Sequence, residues 1–197
     1  MLRGIDLELP GTGLVALVGP SGSGKSSLLR LCNRLEVPTS GTVTFRGTPL
    51  DHLDPLELRR RVGMVFQRPT PFAGDVLANL RVADPTIDVG AAARLCERVA
   101  LDAELVDRDA ATLSGGEAQR MCIARSLATG PEVILMDEPT SSLDPESRDA
   151  VEALATGLVA AGLTIVWVSH DPDQVARLAD VVVRIEDGRV AGVESTS

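Results

Sequence analysis

The amino-acid sequence predicts an α/β fold in which helices cover both faces of a mostly parallel β-sheet. Short apolar runs typical of buried strands alternate with longer amphipathic stretches typical of helices, which is the pattern of βαβ units. No internal repeat is visible in this alternation. The chain of 197 residues is long enough to bury a sizeable core, so we expect one domain over residues 1–197.

The first predicted elements are two strands of different character. Ile5, Leu7 and Leu9 alternate with acidic residues, which predicts a strand with one solvent-facing side. A turn rich in Pro and Gly at residues 10–13 leads to the wholly apolar residues 14–18, which are typical of a buried central strand.

A helix and two further strands are predicted before the middle of the chain. The inner face of the helix includes Leu28, Leu31 and Leu35. Residues 41–46 are predicted to form a short antiparallel strand, and residues 62–66 another buried strand.

The middle of the chain, from about residue 68 to residue 129, has a helical pattern. It contains periodic stretches at 91–99 and 117–127, and we interpret it as an inserted α-helical subdomain. Strands and helices alternate again after it. The predicted elements there are strand 132–136, helix 145–161, strand 164–168, helix 172–178 and strand 181–185. We therefore expect one domain with two lobes.

Composition excludes several classes of partner. Lys and Arg number 19 and Asp and Glu number 28, so the net charge is −9. An acidic domain repels nucleic acid backbones and anionic lipid surfaces. No apolar run approaches the ~18 residues that a membrane span needs, and no signal peptide is visible. The cysteines Cys32, Cys96 and Cys122 have no metal-like spacing, and we expect them to be small core residues in a reducing cytosol.

A phosphate-binding loop lies between a predicted strand and a predicted helix. The sequence from Gly19 to Ser26 fits the spacing G-x-x-x-x-G-K-S in the context that this motif requires. Backbone N–H groups of such a loop and of the helix that follows it favour phosphate oxygens. Lys25 would neutralise the β- and γ-phosphates, and Ser26 would place its hydroxyl on Mg²⁺. The predicted nucleotide-binding residues here are Gly19, Pro20, Ser21, Gly22, Ser23, Gly24, Lys25, Ser26 and Ser27.

Two adjacent carboxylates follow the apolar strand at residues 133–136. Asp137 and Glu138 therefore stand at the carboxyl edge of the sheet, where open α/β sheets bind ligands. Asp137 is the expected Mg²⁺ partner, and Glu138 is the expected general base that activates water. Adjacent carboxylates alone could be mere surface charge, but the phosphate loop favours the functional interpretation.

A second potential anion cradle lies at the start of a predicted helix. Ser114, Gly115 and Gly116 offer backbone N–H groups and a hydroxyl there. Ser114 and Glu117 also have the spacing of a capping box, and the two interpretations do not compete. Because the phosphate loop already provides an anion site for one ATP, a second site on the same chain is redundant.

These motifs together resemble the ATP-binding cassette (ABC) ATPases, whose LSGGE signature is matched by residues 113–117. The resemblance runs from about residue 2 to residue 190. It implies a RecA-like P-loop NTPase fold with antiparallel N-terminal strands and an inserted helical subdomain. It also implies that two copies dimerise head to tail, so that each signature closes on the ATP held by the other copy.

The resemblance assigns three further residues. Gln67 matches the glutamine that senses Mg²⁺ and links the site to a transmembrane partner. Asp144 matches the loop that crosses the dimer interface, and His170 matches the histidine that contacts the γ-phosphate. Trp167, by contrast, stands in the middle of a predicted strand and is expected in the core.

One departure from the family pattern concerns adenine. Family members usually carry an aromatic residue upstream of the first strand, stacked on the base. This sequence has no tyrosine, and Met1 comes after that position, so either the chain starts short or adenine is held in another way. Loss of one stacking contact would weaken ATP binding about 5- to 150-fold. Phosphate and Mg²⁺ contacts are expected to survive that loss.

The resemblance predicts an ATP-hydrolysing subunit of a transporter, with ATP and Mg²⁺ as cofactors. The expected partners are a separate transmembrane permease and a second copy of the chain, and the expected location is cytoplasmic, peripheral on the inner face of the plasma membrane. Two rival hypotheses are a soluble ABC ATPase acting on DNA or ribosomes and an inactive regulatory domain. The resemblance leaves two alternatives for the transported substrate. Residues 61–80 look like phosphate-importer ATPases, whereas the compactness of the chain and residues 167–171 look like a small group linked to iron or metal efflux.

Overall fold

The computed structural model describes residues 2–196 and contains one large and one small β-sheet. The strands are β1 (Leu14–Val18), β2 (Thr44–Phe45), β3 (Thr48–Pro49), β4 (Val62–Val65), β5 (Val133–Asp137), β6 (Thr164–Val168), β7 (Val181–Glu186) and β8 (Arg189–Ser195). The large sheet has the order β4-β5-β6-β1-β7-β8, and all its neighbours are parallel except the antiparallel pair β7–β8. The carboxyl ends of β4, β5, β6 and β1 therefore meet at one edge of the sheet.

Seven α-helices accompany these strands within the described residues. They are α1 (Lys25–Cys32), α2 (Pro55–Arg61), α3 (Val76–Ala83), α4 (Val89–Arg98), α5 (Gly115–Leu127), α6 (Pro145–Ala160) and α7 (Pro172–Leu178). An aspartate side chain caps the amino end of α2, α3, α4, α6 and α7, and Ser114 caps α5. Among the α-helices of residues 2–196, α1 alone has no side-chain cap, so the N–H groups of its first turn stay available.

Alternate residues of the central strands point into two apolar clusters. Leu14 and Met136 contribute to one, together with the helices of the middle of the chain. Leu17 and Leu135 contribute to the other, together with Leu29 of α1. Because both faces of the sheet are buried, the strands read as continuous apolar runs, as predicted. Trp167 is also in the core.

Three helices, α3, α4 and α5, lie between β4 and β5 in the sequence. Apolar residues of all three belong to the same cluster as the adjacent face of the sheet. Two short 3₁₀ helices, Ala103–Asp107 and Ala110–Thr112, connect α4 to α5. No helix among residues 2–196 combines the length and the apolar character required to cross a membrane.

The predicted α/β class is confirmed, but some elements differ from their predictions. Residues 5–9 form no strand; their apolar side chains pack half-buried against the cluster of Leu17 and Leu29 without a strand partner for the backbone. The antiparallel strands are instead the small pair β2–β3 and the unpredicted edge strand β8. The prediction that Leu35 lies on the inner face of α1 is wrong, because α1 ends at Cys32 and Leu35 is exposed.

Candidate functional site

The loop between β1 and α1 surrounds the amino end of α1. Gly19 and Gly24 have φ values of 141° and 107°, which residues with side chains rarely adopt. A Cβ atom at Gly19 would overlap the carbonyl oxygen of Ile185, and one at Gly24 would lie 2.6 Å from Leu2 Cδ2. The exposed middle of the loop consists of Pro20, Ser21 and Gly22. The loop conformation therefore depends on glycine at both positions.

Lys25, the only lysine in the sequence, lies in the centre of this loop. Its side chain is buried, with 6% of the residue exposed, and Nζ donates to the carbonyl oxygens of Gly19 at 2.8 Å and Pro20 at 2.9 Å. The buried Ser23 Oγ has no hydrogen-bond partner among the described residues. A buried cation, an unpartnered hydroxyl and an uncapped helix terminus together fit a bound anion.

Ser26 and Asp137 connect the loop to the neighbouring strand. Ser26 Oγ donates to Asp137 Oδ1 at 2.9 Å, and Asp137 is the buried last residue of β5. Ser27 follows in the first turn of α1 and is half-buried. Mg²⁺ is usually bound by one or two carboxylates together with substrate phosphates, so a hydroxyl and a carboxylate beside an anion loop fit this ion.

Glu138, Gln67 and His170 come together at the carboxyl ends of β4, β5 and β6. Gln67 Nε2 lies 3.2 Å from Glu138 Oε2 and 3.2 Å from the hydroxyl of Ser141. His170 Nδ1 lies 3.5 Å from the same Glu138 Oε2. Glu138 has a φ of 46°, a conformation that is uncommon outside glycine and often marks functional sites. Gln67 and His170 therefore both approach the Glu138 carboxylate, which could take a proton from water.

The signature residues make their described contacts with one another and with α6. Ser114 forms both halves of a capping box with Glu117, and the pKa of the Glu117 carboxyl is lowered, chiefly because the backbone N–H of Ser114 donates to it. Ser114 and Gly115 are exposed, whereas Gly116 is buried against Ser147 of α6. No hydrogen bond described within residues 2–196 joins these residues to the phosphate loop.

Asp144 is also placed outside the cluster. Its carboxylate caps α6 by accepting from the backbone N–H of Ser147 at 3.0 Å, and this hydrogen bond is the main cause of its lowered pKa. Because Gly116 packs against Ser147, Asp144 and the signature stand on neighbouring helix ends. Within one chain, both have structural roles at these ends.

Two residues of the site were not singled out by the sequence. Ser141 lies three residues before Asp144, but its contact with Gln67 depends on the approach of β4 and β5. Gln119 of α5 is buried, and its Nε2 donates to the carbonyl oxygen of Phe66 at 3.3 Å, directly before Gln67. The only sequence signal for Gln119 is its position on the inward side of the predicted helix 117–127.

Comparisons with known proteins agree with this geometry. Residues 2–141 match the family model described as ABC transporter. Protein STAR1 of Oryza sativa subsp. japonica is 43% identical over 98% of this chain, which spans 57% of the length of that relative. Phosphate import ATP-binding protein PstB of Pyrobaculum aerophilum is 40% identical, with 100% of this chain and 85% of PstB covered.

A solved structure supports the same assignment. It is the dimer of an ATP-binding cassette protein in a post-hydrolysis state, bound to ADP and Pi. Its TM-score is 0.87 at 28% identity, and the match covers 100% of this chain and 90% of that one. Its sequence, its fold and its phosphate loop show that the chain belongs to the ABC transporter family and is a nucleotide-binding domain of that family.

Proposed function

We propose that residues 1–197 form the ATP-hydrolysing domain of an ABC transporter, with residues 68–129 as its inserted helical lobe. The observation that carries the proposal is the convergence of an anion loop, a hydroxyl–carboxylate pair and a second carboxylate at one edge of the sheet. Lys25, Ser26, Asp137 and Glu138 hold these positions. The relatives named as transporter proteins favour this function over a role on DNA or ribosomes.

The donor set fits ATP and Mg²⁺. The loop N–H groups, the Ser23 hydroxyl and Lys25 would hold the β- and γ-phosphates, and Ser26, Asp137 and Gln67 would hold the ion, directly or through water. Mg²⁺ would neutralise phosphate charge and orient the phosphate oxygens when bound. Lys25 would exchange its contacts with the loop carbonyls for phosphate oxygens.

Glu138 is the proposed general base. Its Oε2 accepts from Gln67 Nε2 and lies beside His170 Nδ1, so both neighbours orient the carboxylate. Glu138 would accept the proton of the attacking water, while the exposed His170 imidazole would contact the γ-phosphate. Two orienting neighbours on different strand ends give the carboxylate a defined direction.

Two copies of the chain would form the active unit. The signature residues Ser114, Gly115 and Gly116 and the loop residue Asp144 lie outside the cluster that Lys25 and Glu138 occupy. The related cassette protein is a dimer bound to ADP and Pi, which supports dimerisation of this chain. We infer that each signature then meets the nucleotide of the other copy. Ser114 and Gly115 are exposed, as such a contact requires.

The proposed partner in transport is a separate transmembrane permease, with the domain at the inner face of the plasma membrane. The similarity to PstB favours phosphate as the transported substrate, since that relative is named for phosphate import. The resemblance of residues 167–171 to metal efflux proteins is the competing hypothesis. Identifying the membrane protein that co-purifies with the chain distinguishes the two.

The test of the proposed function is ATP hydrolysis by the purified chain and its Glu138→Gln variant. We expect the variant to hydrolyse ATP roughly 10²–10⁴-fold more slowly while it binds nucleotide normally. Because hydrolysis reopens the dimer, the variant should accumulate as an ATP-bound dimer in gel filtration. Near-normal turnover of Glu138→Gln would remove Glu138 from the role of base.

Two additional changes in the Glu138→Gln chain separate the loop from the signature. Lys25→Ala should abolish nucleotide binding by the monomer, because the ammonium in the centre of its own loop is lost. Ser114→Arg should leave monomer binding intact but prevent the dimer, because the added side chain would fill the space of the partner's γ-phosphate. Loss of monomer binding by Ser114→Arg would contradict the head-to-tail arrangement.

A further inference from the structure

Gln174 forms a buried hydrogen-bond cluster behind the proposed active site. The residue lies in the first turn of α7 and is only 3% exposed. Its Oε1 accepts from Trp167 Nε1 at 3.1 Å, and its Nε2 donates to Thr140 Oγ1 and to Glu152 Oε1, each at 2.9 Å. Both ends of the amide are therefore engaged.

Two of the partners of Gln174, Thr140 and Trp167, lie within three residues of Glu138 and His170 in the sequence. Thr140 lies two residues after Glu138, and Trp167 lies on β6, three residues before His170. The amide of Gln174 thus joins the end of β5 to the end of β6 on the buried side. The direct contact between the two loops on the open side is Glu138 Oε2 to His170 Nδ1, at 3.5 Å.

Glu152 and Arg177 hold the amide of Gln174 in this orientation. Glu152 is a buried residue of α6, and Arg177 Nη2 lies 2.9 Å and 3.1 Å from its two carboxylate oxygens. The hydrogen bond to Glu152 is the main reason that the pKa of Arg177 is raised. Because Oε1 of Glu152 accepts from Nε2 of Gln174, the amide cannot flip without placing two acceptors against each other.

The loop after β5 needs such support. Glu138 has a left-handed φ of 46°, which costs free energy unless the surroundings hold it. A tight turn follows, in which Ser141 N donates to Glu138 O and Leu143 N donates to Thr140 O, each at 3.2 Å. A hydrogen bond to Thr140 therefore fixes the turn that presents Glu138.

We propose that Gln174 is a positioning residue: through Thr140 and Trp167 it sets the separation of the Glu138 carboxylate and the His170 imidazole. The inference rests on the proposed ATP hydrolysis and assigns a determinant of its rate. Gln174 touches neither nucleotide nor water in this role. It acts only through the loops that carry the reacting groups, so its loss should lower kcat and leave nucleotide affinity unchanged.

Two isosteric substitutions of buried threonines provide a matched test. Thr140→Val removes the hydroxyl that accepts from Gln174, whereas Thr164→Val removes a hydroxyl that donates to Gly11 O at 2.7 Å. Thr164 is the first residue of β6, at the opposite edge of the sheet. We expect Thr140→Val to lower kcat for ATP roughly 10- to 100-fold, because small misplacements of reacting groups cost rate steeply. Thr164→Val should keep the wild-type kcat.

A second measurement does not depend on turnover. The sequence contains only two histidines, His52 and His170, so the imidazole C–H signals in a proton NMR spectrum are few. Thr140→Val should shift the His170 signal and leave the His52 signal in place as an internal reference. Thr164→Val should move neither signal, although it also removes a buried hydrogen bond.

An exchange of functional groups provides a rescue. Gln174→Glu alone places two carboxylates against each other, at the position where Glu152 now accepts a hydrogen bond. Gln174→Glu combined with Glu152→Gln restores one donor and one acceptor at that position, and Arg177 keeps an acceptor. We expect the single change to lower kcat and the double change to recover most of it, with equal affinity for an ATP analogue throughout.

These experiments distinguish failure of the positioning role of Gln174 from failure of the proposed ATP hydrolysis. Equal kcat values and equal His170 signals for the two threonine variants would overturn the positioning role while leaving ATP hydrolysis in place. A wild-type chain without ATPase activity would overturn the proposed function. In that case the His170 signal of Thr140→Val still decides whether the cluster of Gln174 positions this imidazole.

Discussion

At the scale of single residues, the two signature glycines have different surroundings. A Cβ atom at Gly115 would meet no atom within 4 Å. A Cβ atom at Gly116 would overlap Ser147 Oγ and lie 2.7 Å from Ser147 Cβ, which cannot rotate away. Neither glycine has a positive φ, so the difference is one of space and not of backbone conformation. The sequence predicted the same anion-binding role for both.

Alanine substitutions should separate the two glycines. We expect Gly116→Ala to lower the free energy of unfolding by about 1–3 kcal/mol, because the extra methyl group overpacks the contact with α6. Gly115→Ala should leave it unchanged or raise it by up to about 1 kcal/mol, since alanine restricts the unfolded chain. Urea denaturation of the two variants measures both effects.

A rescue variant checks the cause of the Gly116→Ala effect. Ser147→Gly removes the Cβ and hydroxyl that the new methyl group would overlap. Combined with Gly116→Ala, it should recover part of the lost stability, after the effect of Ser147→Gly alone is subtracted. Strict additivity of the two changes would contradict the steric explanation.

At the scale of elements, α5 begins with the capping box that its sequence predicted. Ser114 N donates to Glu117 Oε2 at 2.7 Å, and Glu117 N donates to Ser114 Oγ at 3.3 Å. The first of these bonds is the largest cause of the lowered pKa of Glu117, and the Ser114 side chain is the second. The charged carboxylate therefore stabilises the start of this helix.

This cap predicts a pH-dependent stability. Because the pKa of Glu117 is lower in the folded than in the unfolded chain, its contribution is fully present above the unfolded pKa and is lost as the pH falls through the folded pKa. Glu117→Gln keeps an acceptor but cannot titrate. The wild type should exceed this variant in free energy of unfolding at neutral pH, and the difference should shrink on acidification. Urea denaturation over a pH series measures it, and a constant difference would contradict the prediction.

Secondary-structure elements were predicted correctly where an apolar run in the sequence is buried in the structure. The apolar runs that became β1, β5 and β6 are buried on both faces, so their sequence alone identifies them. Residues 5–9 alternate in polarity like a strand, and their apolar side chains are half-buried as expected. They form no strand, because alternation predicts which side chains are buried but not whether the backbone has a neighbouring strand to pair with. Strand β8 was missed because it is mostly exposed and exists through its pairing with β7.

Site residues were predictable from the sequence where they lie close to the end of a predicted strand. Gln67, Glu138 and His170 stand within two residues of the ends of apolar strands, so their meeting at one sheet edge follows from parallel strand order. Ser141 and Gln174 have no such signal. Their roles arise from contacts between segments 74 and 34 residues apart, which only the packed structure provides.

At the scale of the whole molecule, the loop at residues 69–74 is held to the helices yet leaves an aromatic ring accessible. Asn79 of α3 bonds both the N–H and the carbonyl of Phe72, at 2.8 Å and 3.0 Å. The guanidinium of Arg125 on α5 lies 4.4 Å from the centroid of the Phe72 ring. Phe72 still remains 50% exposed, beside the backbone that leads from Gln67. We interpret this accessible ring, held beside polar residues, as a contact for a partner protein.

We predict that the surface around residues 67–80 receives a short helix from the transmembrane partner. Phe72→Asp should weaken assembly with that subunit and abolish transport, because a carboxylate would have to be buried in an apolar contact. The isolated domain should keep its fold and its basal ATPase activity, since the backbone contacts of Asn79 are unchanged and the new carboxylate faces Arg125. Co-purification of the membrane subunit and a transport assay measure the effect.

Val193→Asp is the matched control, because Val193 is 52% exposed and lies on the edge strand β8. The same change of an exposed apolar residue to aspartate should there leave both assembly and transport intact. Since the two variants carry the same added charge, a loss confined to Phe72→Asp would place the contact at the loop and not in the net charge of the domain. Undiminished recovery of the complex with Phe72→Asp, together with normal transport, would mean that the permease docks elsewhere and that Gln67 is not linked to the membrane through this surface.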